Sequence, residues 1–222
     1  MGQNIMLTCA DGVTINAWQA APAGRPKGGL VVLQEIFGVN QHIRNVTDRF
    51  AAAGYLAIAP CLFDRYHPGV ELGYTPNDIQ QGMDIMKAAK KPETMLDILA
   101  AIRAASEAGK VGVTGFCWGG TLTYLAAAYL PGLSVGVGYY GGGIANALAA
   151  KPKILLMLHF GEQDTSIPAT ALVDIRAANP EAQVFTYATA GHAFNRDGAD
   201  AYDEPSATLA MQRTLKFLGD NV

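Results

Sequence analysis

The chain has 222 residues, of which half are hydrophobic and 16% are charged, and its formal net charge is −3. This composition is typical of a globular protein with a sizeable core, and it excludes a disordered chain or a basic nucleic-acid-binding surface. We find no leader pattern and no aliphatic run long enough to span a membrane. We therefore expect one domain over residues 1–222, cytoplasmic and monomeric, that acts on a small molecule.

Short apolar runs alternate with segments of helical periodicity. The first two runs flank Asp11-Gly12, a turn signal that predicts a hairpin. Later runs alternate with helices, which implies crossover connections and a mostly parallel sheet whose ligands bind beyond the carboxyl ends of the strands. The predicted strands cover residues 5–9, 13–20, 29–34, 55–59, 110–116, 133–140, 154–160 and 183–188. The predicted helices follow Asn40, lie on either side of a break at Pro92, and cover residues 121–129, 169–178 and 206–218.

A strand-to-helix turn carries the strongest chemical signal, Gly115-Phe116-Cys117-Trp118-Gly119. The spacing is that of the G-x-S-x-G nucleophile elbow, with cysteine in place of serine. The glycines allow crowding by neighbouring backbone, and the N–H of Trp118 can point at a developing oxyanion. The alternative is a structural cysteine buried in a glycine-rich turn.

Two partners follow in the chain order of an α/β-hydrolase triad, which is nucleophile, acid, histidine. Asp164 comes just after one predicted strand and His192 just after the last one. Both would therefore lie at the carboxyl edge of the sheet, where His192 can serve as the base for a thiol and Asp164 can orient it. Glu162 is a competing acid, which we rank below Asp164.

The sequence closely resembles the dienelactone hydrolase family over nearly its whole length. The resemblance lies in the loop at residues 34–40 (QEIFGVN), the cysteine elbow, Gly138-Tyr139-Tyr140-Gly141, the Asp164 segment with its Pro168, and Gly191-His192-Ala193-Phe194 with Arg196. It implies an α/β-hydrolase fold, with a mixed, mostly parallel sheet of about eight strands and helices on both faces. It further implies hydrolysis of an ester or lactone without a cofactor or a metal.

The resemblance also implies roles for individual residues. Ile36 and Trp118 would supply the oxyanion N–H groups. Glu35 would contact the Cys117 thiol and help to generate the thiolate when substrate binds, and Arg196 would bind a substrate carboxylate. Judged from the residues alone, Glu35 can equally be an ordinary solvated carboxylate and Arg196 a member of a surface salt bridge.

One departure from the family concerns the substrate carboxylate, which the family holds with two arginines. No arginine occurs here between Arg65 and Arg103, and the corresponding segment at residues 77–82 is neutral to acidic. A lost charge-assisted hydrogen bond costs about 1.5–3 kcal/mol, and Lys87 and Arg65 are the candidate cations to compensate for it. The reaction class is therefore better specified than the substrate.

Other interpretations are weaker. A different small ester or thioester, or a non-catalytic binding role, stays open, whereas thiol redox chemistry lacks any C-x-x-C pair. The glycines of a dinucleotide-like fingerprint at residues 136–141 fall inside a predicted strand. The histidines and cysteines show no metal-ligand spacing. We expect His159 on a buried strand, and His42 and His67 in solvent.

Overall fold

The computed structural model describes residues 2–222, in which eight strands form one sheet in the order β1-β2-β4-β3-β5-β6-β7-β8. The strands are β1 (Gln3–Thr8), β2 (Thr14–Ala20), β3 (Gly29–Leu33), β4 (Leu56–Pro60), β5 (Val111–Phe116), β6 (Val135–Tyr139), β7 (Leu155–Gly161) and β8 (Gln183–Tyr187). The α-helices are α1 (Gln41–Ala52), α2 (Pro76–Ala88), α3 (Lys91–Ala105), α4 (Trp118–Tyr129), α5 (Ala169–Ala178) and α6 (Glu204–Asn221).

The strand directions make the sheet mixed, as the sequence predicted. The hairpin strands β1 and β2 pair antiparallel, and β2 also pairs antiparallel with β4. The remaining pairings, from β4 through β3 and β5 to β8, are parallel. Strands β3, β5 and β6 are buried along their whole length, as expected when both faces of a sheet are covered.

The two faces of the sheet carry different helices. Gly112 and Val113 are neighbours in β5 and therefore face opposite sides. A Cβ atom on Gly112 would meet Leu218 of α6, whereas Gly136, which pairs with Val113, would meet Thr123 of α4. Helices α6 and α4 therefore cover opposite faces, and the predicted fold class is confirmed.

Helix boundaries differ from the prediction in three places, one of which is α6, which extends over Glu204–Asn221 rather than residues 206–218. Helix α4 begins at Trp118, directly after Cys117, which leaves no spacer between the elbow and the helix N-terminus. Pro92 does not break a helix but lies in the first turn of α3, where its missing N–H costs nothing. The buried face of α3 also includes Asp97 and Ile98, which are fully enclosed.

The connection from Cys61 to Thr75 is held to the sheet by polar contacts. The Asp64 carboxylate accepts hydrogen bonds from the N–H groups of Asn16 (2.9 Å) and Gly69 (3.0 Å). Arg65 bridges Asp11 (2.7 Å) and the buried Asp97 (2.8 Å). These contacts fix the start of the segment that leads into α2, whose N-terminal half lies beside the predicted site.

Candidate active site

Cys117 occupies the turn between β5 and α4 in a conformation that non-glycine residues rarely adopt, with φ 54° and ψ −113°. The flanking glycines permit this turn. A Cβ atom on Gly115 would lie 2.1 Å from the carbonyl oxygen of Gly119, and one on Gly119 would lie 2.3 Å from that of Leu33. Close backbone packing therefore explains the glycine spacing, and it sets the elbow directly against the end of β3.

The structure brings the three residues of the predicted triad together. His192 Nε2 lies 3.2 Å from Cys117 Sγ, and His192 Nδ1 lies 2.7 Å from Asp164 Oδ2. Asp164 follows β7 and is buried, whereas the His192 side chain is 32% exposed. The competing acid, Glu162, is exposed, so it is Asp164 that the structure places against the imidazole. This chain of contacts can move a proton between sulfur and imidazole.

The electrostatics of the triad favour a protonated imidazole. Burial lowers the pKa of His192. The hydrogen bonds to Asp164 and Cys117, together with the charges of these two residues, have the larger and opposite effect and raise the pKa to about 10. Burial raises the pKa of Asp164, yet its hydrogen bonds to His192 and Ser166 bring it below its usual value. The ring therefore lies between two groups that both favour its charged form.

Ser166 is a site residue that the sequence did not reveal. Its N–H (2.9 Å) and its hydroxyl (2.5 Å) both contact Asp164 Oδ1, and the hydroxyl lies 3.2 Å from His192 Nδ1. The signal was present, because an Asp followed two residues later by Ser is a common turn in which the carboxylate accepts the backbone N–H. Ser166 therefore fixes the free oxygen of the acid.

Glu35 and Arg196 form a buried ion pair. Arg196 Nε donates to Glu35 Oε2 at 2.9 Å and Nη2 donates to Oε1 at 3.0 Å, while Glu35 is only 1% exposed. The guanidinium also lies over the rings of Phe37 (4.9 Å) and Tyr74 (4.6 Å). Both alternatives from the sequence, a solvated Glu35 and a surface salt bridge, are thereby wrong. Both Glu35 oxygens bond to Arg196 rather than to the Cys117 thiol in this conformation.

The loop after β3 carries the first of the two predicted oxyanion donors. Its turn requires glycine at position 38, where φ is 77° and a Cβ atom would lie 2.0 Å from the carbonyl oxygen of Val70. Among residues 2–222, the Ile36 N–H donates to no other backbone group outside helices and strands. Trp118 is the first residue of α4, where an N–H has no partner within the helix. Both donors are thus available.

Residues 77–82, where the resemblance would place a second arginine, lie in helix α2. A Cβ atom on Gly82 would lie 2.1 Å from the Ile36 carbonyl oxygen, so this helix packs against the oxyanion loop. Ile79 and Met83, next to this contact, are 40% and 36% exposed. Arg65 is committed to Asp11 and Asp97 and cannot substitute for the arginine, while Lys87 lies at the other end of α2.

The other three histidines agree only in part with their predicted exposure. His159 is fully buried, as expected, and His67 is exposed. The expectation that His42 lies in solvent is wrong, because it is 5% exposed and packs edge-on to Phe116. Within residues 2–222, no group of three or more potential ligands could hold a metal ion. In the same described part of the chain, no helix combines the length and apolarity needed to cross a bilayer.

The sheet order, the strained elbow and the histidine after the last strand define an α/β-hydrolase. Comparisons with known proteins give the family. The family model for the dienelactone hydrolase family matches residues 15–222. Carboxymethylenebutenolidases of Pseudomonas putida and Pseudomonas knackmussii are each 36% identical over 230 residues, covering 97% of this chain and 95% of theirs. A crystal structure from Klebsiella pneumoniae named for dienelactone hydrolase superposes with a TM-score of 0.83 at 30% identity, covering 97% of this chain and 98% of that one.

The chain belongs to the dienelactone hydrolase family. It is an enzyme, a hydrolase of the carboxylic ester and lactone class, of the carboxymethylenebutenolidase type.

Proposed function

We propose that the enzyme hydrolyses an activated ester or lactone of the dienelactone kind, with Cys117 as nucleophile, His192 as proton carrier and Asp164 as the residue that orients His192. The observation that carries this proposal is the continuous contact from sulfur to imidazole to carboxylate at the elbow. The names of the Pseudomonas relatives support the same lactone class.

The proposed reaction has two stages. Cys117 gives its thiol proton to His192 while the sulfur attacks the carbonyl carbon, and the N–H groups of Ile36 and Trp118 receive the resulting oxyanion. The C–O bond then breaks, His192 gives this proton to the departing oxygen, and an acyl-thioester remains. Water, deprotonated by His192, attacks this thioester, and the thiolate leaves with the acid as product.

Glu35 and Arg196 add a route for activating the thiol. A substrate carboxylate competes with Glu35 for Arg196, whose planar fork suits a carboxylate. A Glu35 that loses this partner while buried becomes a stronger base, since burial disfavours its charged form. It then accepts the Cys117 proton and serves as a second base. Both roles therefore require the ion pair seen here to open.

The sulfur nucleophile selects the leaving group. A thiolate is expelled from the tetrahedral intermediate more readily than an alkoxide, so a simple alkyl ester returns to starting material. An enol ester or lactone releases a stabilised enolate and goes forward. Activated esters are therefore the expected substrates.

One observation favours a second candidate, a neutral activated ester. Helix α2, which packs against the oxyanion loop at Gly82, carries the exposed Ile79 and Met83 and contains no arginine. A substrate with an apolar group at this position would fit without a second cation.

The test is the ring opening of dienelactone, followed by ultraviolet absorbance, with an aryl acetate and an ethyl ester measured alongside. We expect turnover of dienelactone, and a loss of at least about a thousandfold in Cys117→Ala. Cys61→Ala is the matched control, because this half-buried thiol lies outside the triad and should leave the rate unchanged. Turnover of the aryl ester alone would select the neutral candidate, and equal rates on dienelactone and the ethyl ester would refute the activated-ester proposal.

A further inference from the structure

Tyr140 combines two features that cost free energy and that the mechanism above does not use. Its backbone φ is 37°, in the left-handed region that a bulky residue rarely adopts. Its side chain is fully buried, and its hydroxyl has no hydrogen-bond partner among the described residues. A strained backbone and a buried unpartnered hydroxyl each destabilise the folded state. Glycine would relieve both, so the tyrosine side chain requires an explanation.

Three other buried tyrosines of the core have hydrogen-bond partners for their hydroxyls. The hydroxyl of Tyr124 bonds to the Ala150 carbonyl (3.0 Å), that of Tyr139 to Thr214 (2.6 Å) and that of Tyr187 to His159 (2.8 Å). The orphan hydroxyl of Tyr140 is thus not a general property of tyrosine in this protein.

The position of Tyr140 is set from both sides. Its N–H donates to the His159 carbonyl at 2.8 Å, and the next residue, Gly141, lies against the backbone of Gly120 in the elbow helix. The Tyr140 ring centroid is 5.2 Å from that of His192 and 5.4 Å from that of Phe194. The side chain is therefore held in the wall of the active site.

The charges that act on the Tyr140 hydroxyl belong to the catalytic groups. Burial is the main cause that raises the pKa of Tyr140 well above its usual value, followed by the charge of Glu35; the charge of Arg196 lowers it and that of Cys117 raises it by smaller amounts. The hydroxyl therefore stays protonated over the working pH range and can only donate or accept as a neutral group. The Glu35 carboxylate itself is also near His42 and Tyr74, in addition to Arg196.

We propose that the Tyr140 hydroxyl is the donor that holds the Glu35 carboxylate once Arg196 has turned to the substrate, which makes Tyr140 a positioning residue for the second base. In the resting ion pair, Arg196 occupies both Glu35 oxygens and the hydroxyl has no partner. When the pair opens, a buried carboxylate needs a donor and a buried hydroxyl needs an acceptor, and each satisfies the other. This inference rests on the proposed function, because it assumes that Glu35 acts after its release.

A double-mutant cycle tests the inference without relying on activity. In the wild-type background Tyr140→Phe should raise the midpoint of urea unfolding, because it removes a buried hydroxyl that has no hydrogen bond to lose. In an Arg196→Met background, where Glu35 is already released, the same substitution should lower the midpoint clearly. Equal effects in the two backgrounds would overturn the inference and indicate a packing role.

Kinetics provide the second readout. With a carboxylate-bearing lactone, Tyr140→Phe should lower kcat by about tenfold to a hundredfold, the value of one hydrogen bond to a charged group. It should also move the acid limb of the kcat profile to higher pH, because Glu35 loses a donor that favours its charged form. Tyr124→Phe, remote from the site, is the matched control and should do neither. A rise in KM with unchanged kcat would overturn the inference and place the hydroxyl on the substrate instead.

If the wild-type enzyme does not turn over the lactone, the proposed function fails before any variant is compared. The unfolding cycle would still report whether Tyr140 and Glu35 interact. The two failures are therefore distinguishable.

Discussion

Two polar clusters lie on the same sheet and differ in the charge and the hydrogen bonding of their buried groups. The buried histidine cluster, between β6, β7, β8 and α6, consists of Tyr139, His159, Tyr187 and Thr214. His159 Nδ1 lies 2.8 Å from the Tyr187 hydroxyl, and Nε2 lies 3.1 Å from the Thr214 hydroxyl. Both ring nitrogens are thus satisfied, and burial together with the charge of Arg213 lowers the pKa of His159 to about 3. This cluster is fixed and uncharged.

The second cluster, called the site cluster, lies beyond the carboxyl ends of β3, β5, β6, β7 and β8 and contains the candidate active-site residues Glu35, Cys117, Tyr140, Asp164, His192 and Arg196. It keeps ionic groups in buried or half-buried positions and, within residues 2–222, leaves the Tyr140 hydroxyl without a partner. The non-glycine residues with positive φ in residues 2–222 are Cys117, Tyr140 and Ala193, and each belongs to this cluster or adjoins it. Strain and incomplete bonding therefore coincide with the site, while the histidine cluster shows that the same fold can satisfy buried polar groups fully.

Breaking the buried ion pair should produce the largest effect on stability. Arg196→Met leaves the Glu35 carboxylate, 1% exposed, without its partner, which typically costs 3–5 kcal/mol. Urea unfolding near neutral pH measures the loss. Adding Glu35→Gln to this variant should restore part of it, because no uncompensated charge then remains buried.

The matched control for this prediction is Lys216→Met. Its partner is Asp220 at 2.8 Å, and the two side chains are 77% and 58% exposed. An exposed pair contributes about 0–1 kcal/mol, so the unfolding midpoint should barely move. Similar losses of unfolding free energy for Arg196→Met and Lys216→Met would show that the pair of Glu35 and Arg196 does not lie in a low-dielectric site.

The histidine cluster should dominate the response of stability to acid. The unfolded chain binds a proton at this histidine near pH 6.5, whereas the folded pKa is about 3. The stability that a neutral His159 supports is therefore present above pH 6.5 and is lost as the pH falls toward 3, at up to about 1.4 kcal/mol per pH unit. His192 has the opposite sign, since its raised pKa stabilises the fold below pH 6.5 and this contribution disappears as the pH rises through about 10.

His159→Gln tests this assignment, because it removes the titration and keeps a polar side chain. Urea unfolding of the wild type and the variant should give free energies whose difference changes with pH between about 6.5 and 4. A difference that stays constant over this range would mean that His159 is protonated in the folded protein.

How far the sequence predicts these clusters depends on what kind of signal each residue gives. The elbow glycines and the acid and histidine after β7 and β8 could be placed because strand ends converge at one edge of a parallel sheet. His42 was misplaced although a signal existed, since it lies four residues before Val46 on the inner face of α1. The pairing of Glu35 with Arg196 spans 161 residues and follows only from tertiary packing. The orphan hydroxyl and the strain at Tyr140 likewise exist only in the assembled fold.

The smallest predicted effect concerns Ser166. It tests whether the hydrogen bonds to Asp164 in the site cluster are all needed for activity. Ser166→Ala removes the hydroxyl that contacts Asp164 Oδ1 at 2.5 Å but keeps the backbone N–H at 2.9 Å. Because one of two donors to that oxygen remains, kcat/KM should fall by only about tenfold, near the lower value of a hydrogen bond to a charged group. The pKa of Asp164 should rise, so the acid limb of the rate profile should move to higher pH.

Ser106→Ala, which removes a hydroxyl that bonds to the Arg103 carbonyl on the surface, serves as the control. An unchanged rate and an unchanged acid limb in Ser166→Ala would mean that His192 alone orients the acid. Asp164 would then be a second group in the site cluster, beside Tyr140, that lacks a hydrogen bond of functional value.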